Sequence, residues 1–298
     1  MDQAAKLREL SKSALISKYE ETTGEERPSA HVIAITSGKG GVGKSSFTVN
    51  LALVLASLNK RVLIIDADLG MANVDVMMGC TANYSLLNII NGTHSLEEVI
   101  VTGPRNVKIL SGGSGIRSLT KLSTIELQRV INQIVQYEKK TDFVLFDTGA
   151  GMGENVMSFL LAAEDIILVT TPEPTALTDA YSILKAYLGN KGKASLRLVV
   201  NKAGNETEST AITNKLTKVA GKFLNIQLEQ LGYIFEDAAV SKSIKQQTPL
   251  ILESPNSPAA KCITNIAHKL VFGSEKVEKT GISGFIKNFL SNHVYRKF

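Results

Sequence analysis

Glycines at 38, 40, 41 and 43 run directly into Lys44 and Ser45, and residue types at this spacing can hold a phosphate. Glycine lets the backbone turn several amides toward an anion, and a helix beginning near Lys44 adds the positive end of its dipole. Lys44 then neutralises the β- and γ-phosphates, and Ser45 offers a hydroxyl to Mg2+. Val42 in the loop and Ser46 in the first helical turn are expected at the same nucleotide. A β-branched run from His31 to Thr36 leads in and an apolar-periodic run from Phe47 to Leu58 leads out, which is the strand, loop and helix setting such a loop needs. Lys39 is a second lysine, early in the same loop. One lysine already serves the phosphates, so Lys39 is either a solvated loop residue or acts on something outside its own site.

Three further clusters close apolar runs. Leu63 to Ile65 ends on Asp66 and Asp68, Phe143 to Phe146 ends on Asp147 with Gly151 just beyond, and Val199-Val200 ends on Asn201-Lys202-Ala203-Gly204. The carboxyl ends of parallel strands are where such sheets bind ligands. Asp147 reads as a Walker B acid that holds Mg2+ through water, and Gly151 can bring an amide close to the γ-phosphate, making that loop sensitive to its presence. Of Asp66 and Asp68, one can orient water while the other supports the metal through its shell. A guanine reader needs an acid where Gly204 stands, so ATP is expected rather than GTP.

The run Lys39-Gly40-Gly41-Val42-Gly43-Lys44-Ser45 resembles the deviant Walker A motif of the MinD/ParA ATPase family. The resemblance implies ATP and Mg2+ as cofactors, and a homodimer in the ATP state in which Lys39 reaches across to the other copy's nucleotide. It implies that Asp68 positions the attacking water in a first switch segment, that Ser45, Asp66 and Asp147 serve the metal, and that the stretch through Gly151 is a second switch. It makes Asn201 the adenine reader and puts Glu236 and Asp237 in the wall of the base pocket, next to Phe235 where the family commonly has proline. Catalysis would fall on Lys39, Lys44 and Asp68. Phosphoryl transfer without an arginine finger is typically about 10³–10⁵-fold slower, so slow turnover that waits on dimerisation is expected.

These groups need a frame. Strand candidates at 32–36, 62–65, 107–110, 143–146, 166–170, 196–200 and 231–235 alternate with helix candidates near 44–58, 122–138, 175–188, 209–223 and 258–272. That alternation predicts an α/β fold: one P-loop domain over 30–273 with a mostly parallel sheet of seven to eight strands and helices on both faces. In the last helix Ile263, Ile266, Ala267, Leu270 and Val271 share one face between Pro258 and Gly273. An apolar content of 44% in 298 residues suffices for a real core, and 33 basic against 28 acidic residues, a net charge of +5, permits an anionic partner without demanding one. Cys80 and Cys262 stand far apart with no CxxC, which disfavours a disulfide framework, a zinc site or a shared iron–sulfur cluster. There is no apolar h-region at the start and no run of about 18 apolar residues, so a cytoplasmic protein is expected.

Residues 1–29 and 274–298 read as peripheral interaction segments. In the second, Ile282, Phe285, Ile286, Phe289 and Leu290 fall on one helical arc flanked by Lys287, Arg296 and Lys297. The arc can lie on an anionic membrane or dock on the domain's own surface, since Gly281 and Gly284 weaken a free helix. It resembles the membrane-targeting tail of the family, which implies reversible association with the inner face of the cell membrane. The first segment, Asp2-Gln3-Ala4-Ala5-Lys6-Leu7-Arg8, resembles the activating arm of MinD-like regulators of flagellar number and placement. That resemblance implies contact through Asp2, Gln3, Leu7 and Arg8 with the SRP-type GTPase FlhF, and further partners among flagellar basal-body (C-ring) proteins. A septum-positioning role or a DNA-segregating role of the ParA type are the alternatives. Specific nucleic-acid binding is not expected; a nonspecific DNA binder would lose affinity steeply with salt.

Overall fold

Strands that are apolar on both faces need cover on both sides, and this requirement shapes the chain. The computed structural model describes residues 29–68, 73–112, 130, 132–134, 136–273 and 279–294, with only the backbone described at 287 and 290–294. Eight strands form one sheet in the order β3-β4-β2-β5-β1-β6-β7-β8. They are β1 (His31–Ser37), β2 (Val62–Ala67), β3 (Val101–Thr102), β4 (Lys108–Ser111), β5 (Phe143–Ala150), β6 (Asp165–Thr170), β7 (Ser195–Ala203) and β8 (Glu229–Phe235). Every pairing is parallel except β3 with β4. The labelled helices are α1 (Lys44–Ser57), α2 (Glu154–Ala162), α3 (Pro174–Gly189), α4 (Glu206–Val219), α5 (Ala238–Lys245), α6 (Pro258–Phe272) and α7 (Gly281–Val294).

The predicted fold class and all seven predicted strands are present. The two-residue edge strand β3 and the helices α2 and α5 are additions. α4 starts before the expected position because the Asn205 side chain accepts the Glu208 amide at 2.8 Å and caps it. The expected helix at 122–138 lies largely outside the described residues, although 136–138 are helical. Two apolar clusters sandwich the sheet. One gathers α1 and α6 with one face of β1 and β2, the other gathers α2, α3 and α7 on the opposite face.

Of the two places open to the C-terminal arc, α7 takes the domain's own surface. Ile282, Phe285, Ile286 and Phe289 are buried, Phe285 stacks on Phe146 at 4.1 Å, and Phe289 stacks on Phe159 at 5.2 Å. Burying each such side chain contributes about 1.5–3 kcal/mol. That outweighs the roughly 1 kcal/mol that Gly284 costs a helix interior. The Leu290 side chain and the whole arm, with Asp2, Gln3, Leu7 and Arg8, lie outside the described residues.

At the amino ends of the strands a buried charge ladder crosses the sheet. Asp165 Oδ2 lies 3.3 Å from both His31 Nε2 and Arg197 Nε, and Arg197 Nε lies 3.1 Å from Glu229 Oε2. Asp165 is fully buried, so replacing it leaves the Arg197 charge under-compensated in the interior. Asp165→Ala is expected to lower the unfolding free energy by about 3–5 kcal/mol, read by urea denaturation. A loss under about 1 kcal/mol would show that the ladder carries little.

Candidate nucleotide site

The phosphate loop leaves β1 at Ser37 and enters α1 at Lys44. Gly43 is the N-cap with φ +91°, a backbone setting that side chains disfavour, and a Cβ there would also collide with Asn201 Nδ2. Asn201 Nδ2 donates to the Val42 carbonyl at 2.7 Å, and Lys202 Nζ donates to the Gly41 carbonyl at 3.0 Å. A peptide plane points its N–H away from its C=O, so drawing these two carbonyls outward turns the Val42 and Gly43 amides to the opposite side. That is the arrangement an anion cradle requires.

Beneath the loop sits a compact charge cluster. Lys44 is buried, with Nζ 2.7 Å from Asp147 Oδ1 and 3.3 Å from Ser45 Oγ, and Thr48 Oγ1 donates to the same Asp147 oxygen at 3.1 Å. The register of β2 against β5 places Asp66 directly beside Asp147. Asp66 Oδ1 accepts the Asp68 amide at 3.1 Å, and Oδ2 accepts those of Asn73 and Val74 at 3.0 and 3.3 Å. Burial, and then the neighbouring Asp147 charge, push the Asp66 carboxyl up to about 6 against those three amides.

Two neighbouring carboxylates, one of them paired with an ammonium, suit a small divalent cation. Mg2+ usually takes one or two carboxylates and completes its shell with water and phosphate oxygens. Among the described residues no group of three or more His, Cys, Asp or Glu forms a separate metal cage. Ser45, Asp66 and Asp147 are the residues that could hold Mg2+, which would neutralise phosphate charge there. Since folding lifts the Asp66 carboxyl above its ordinary value near 4, this group makes the metal-free protein less stable as pH rises through the interval from about 4 to about 6. A bound cation relieves the same penalty. Stabilisation by Mg2+ with ADP, over ADP with chelator, is therefore expected to be larger at pH 8 than at pH 5.5, by about 1 kcal/mol, measured by thermal unfolding. Equal gains at both pH values would remove Asp66 from the metal site.

The other expected residues divide. The Asp68 carboxylate lies over Gly149, 3.7 Å from where a Cβ would stand, and the Gly151 amide donates to the Ser37 carbonyl at 2.8 Å, so the segment after Asp147 meets both Asp68 and the root of the phosphate loop. Gly38 packs against the backbone of Asp179 and Ala180, and Gly40, Val42 and Ser46 follow the loop as expected. Lys39 turns away from its own cluster: Nζ meets Glu173 Oε2 at 2.8 Å and Thr175 Oγ1 at 3.0 Å at the start of α3. Glu236 is exposed beside Phe235. Asp237 accepts the Ala239 and Ala259 amides with its two oxygens, at 2.9 and 3.1 Å. It pins the starts of α5 and α6 together. Thr48, Lys202, Glu173 and Thr175 were not anticipated; Thr48 alone had a signal, one helical turn after Lys44.

A glycine loop whose amides turn to one side, a buried lysine and paired acids near the carboxyl ends of parallel strands together define a P-loop nucleotide hydrolase. A ParA-type family model, described as NUBPL iron-transfer P-loop NTPase, matches residues 29–271. The antiactivator FleN of Pseudomonas aeruginosa is 39% identical over 239 residues, 80% of this chain and 85% of that protein. The flagellum site-determining protein YlxH of Helicobacter pylori is 34% identical over 266 residues, 87% of this chain and 89% of that one. Among solved structures, the Pyrococcus horikoshii septum site-determining protein MinD complexed with Mg-ADP superposes with a TM-score of 0.66 at 28% identity, covering 83% of this chain and 100% of that one. The chain belongs to the MinD/ParA family of P-loop ATPases, as an FlhG-like member that uses ATP and Mg2+.

Proposed function

We propose that this ATPase is a dimerising switch that governs flagellar number and placement by stimulating the SRP-type GTPase FlhF through its N-terminal arm, while its C-terminal helix contacts the membrane. The observation that carries the flagellar reading is the similarity to FleN and YlxH across most of both chains. In this reading Lys44, the loop amides and Asn201 bind ATP, Asp68 orients water, and Lys39 exchanges Glu173 for the nucleotide of a second copy. The exposure of Val76, Met152 and Ile244, on segments that follow the carboxyl ends of β2, β5 and β8, supports a face that a second copy covers. Membrane contact uses Ile282, Phe285, Ile286, Phe289 and Leu290, and requires α7 to leave the domain. One amphipathic helix holds a membrane marginally; two joined in a dimer hold it well. No helix among the described residues is long and apolar enough to cross a membrane. Flagellar C-ring proteins are the further partners.

The arm supplies the deciding experiment. The Gln3 amide and Arg8 guanidinium suit polar contacts near a hydrolytic centre, through water positioning or charge stabilisation. A peptide of residues 2–10 is expected to accelerate GTP hydrolysis by FlhF by about tenfold or more, and Gln3→Ala or Arg8→Ala in that peptide to remove the effect. An unmodified peptide without effect on FlhF turnover would overturn the flagellar reading.

A further inference from the structure

Two glutamates outside the nucleotide site occupy unusual positions. Glu164 is buried at the start of β6, and Glu138 is half-buried at the end of a helical segment. Glu164 Oε1 accepts the Thr280 and Gly281 amides and the Thr280 hydroxyl, while its Oε2 accepts the Val32 amide at 3.2 Å. Glu138 accepts the Ile282 amide at 3.0 Å, the Ser283 amide at 3.4 Å, the Ser283 hydroxyl at 3.0 Å and the Ala30 amide. Each carboxylate thus joins the same two places, the segment where the N-terminal arm meets β1 and the first turn of α7. Gly281 has φ +72° between them, and a Cβ there would collide with Glu138 and press on Ser29.

First-turn amides of a helix have no partner within it, and a carboxylate is a strong acceptor for them. The bonds are shared, which is the important point. If α7 leaves, Glu164 Oε1 loses the Thr280 and Gly281 amides and the Thr280 hydroxyl, and Glu138 loses its Ile282 and Ser283 donors. Water must then solvate carboxylates that also hold the Val32 and Ala30 amides. Undocking of α7 and loosening of residues 29–32 are therefore coupled.

We propose that Glu138 and Glu164 form a latch that ties the root of the N-terminal arm to the first turn of the C-terminal helix, so that the two extensions are released together. By linkage, a ligand that captures the arm and pulls on its root favours release of α7 by the same factor with which release of α7 favours that ligand. The consequence for membrane contact rests on the proposed function; the latch does not.

Amide hydrogen exchange on the full-length protein tests it. Glu138→Gln, Glu164→Gln and Gly281→Ala are each expected to speed exchange across α7 by about tenfold or more, with exchange at Ala30 and Val32 rising in step and α1 keeping its protection. Phe289→Ala, which loosens α7 away from the latch, is expected to raise exchange at Ala30 and Val32 as well. Unchanged α7 protection in the three latch variants overturns the proposal, and so does a freed α7 with Ala30 and Val32 at parental rates. Vesicles of phosphatidylglycerol and phosphatidylcholine separate the two readings: variants that free α7 yet do not sediment with them support the latch and sink the membrane assignment.

Discussion

Lys44→Ala is expected to abolish nucleotide binding and also to destabilise the protein before any nucleotide is added. The ammonium lies 2.7 Å from Asp147, and the strand register sets Asp66 beside that acid. Removing one partner of a buried ion pair typically costs about 3–5 kcal/mol, because the remaining charge keeps its desolvation penalty and loses its counter-ion. Here it also leaves two carboxylates facing each other. Urea unfolding of the nucleotide-free variant should show the loss, and Asp147→Asn in the same background should recover a good part of it, as expected for groups that interact directly. Stability within about 1 kcal/mol of the parent would mean that the lysine is not holding the acids in place. The cluster then has two tasks: in the absence of nucleotide Lys44 serves Asp147, and the phosphates compete with that acid for the same ammonium.

The parts of this site that were legible in the sequence share a property. Gly43 and Lys44 sit where a helix must start, Asp66 and Asp147 close apolar runs near strand ends, and such small or charged interruptions need a reason. What stayed hidden depends on register and on partners distant in the chain. No spacing reveals that Asp66 sits opposite Asp147, since that follows from how β2 and β5 slide against each other. Glu173 looks like an ordinary surface charge until the fold brings it to Lys39, and the motif that contains Lys202 does not reveal its bond to the Gly41 carbonyl. Resemblance places Asp237 in the base-pocket wall, and its role as a cap shared by two helices shows only in the fold. The C-terminal arc shows the same limit at larger scale. Its period identified an apolar face correctly, but a period does not say what covers that face, and Phe146 and Phe159 do. β3, with two residues, has no period at all.

Asp68→Ala is expected to separate binding from hydrolysis, and the local geometry makes it a clean experiment. The Asp68 backbone amide donates to Asp66 Oδ1 at 3.1 Å, and alanine retains that bond. Asp66, Asp147, Ser45 and Lys44 are therefore expected to keep their positions, and with them the affinity for Mg2+ and ATP. What the variant loses is a carboxylate over Gly149, in the loop between the Walker B acid and Gly151. If that carboxylate orients the attacking water, turnover should fall by about 10²–10⁴-fold while the ATP-bound dimer accumulates, since hydrolysis is the step that ends it. Gel filtration with ATP and a phosphate-release assay read the two quantities separately. Undiminished turnover would take Asp68 out of the chemistry. A dimer lost together with turnover would instead place it in nucleotide binding or at the face between the two copies, and Asp66 would become the remaining candidate for the water.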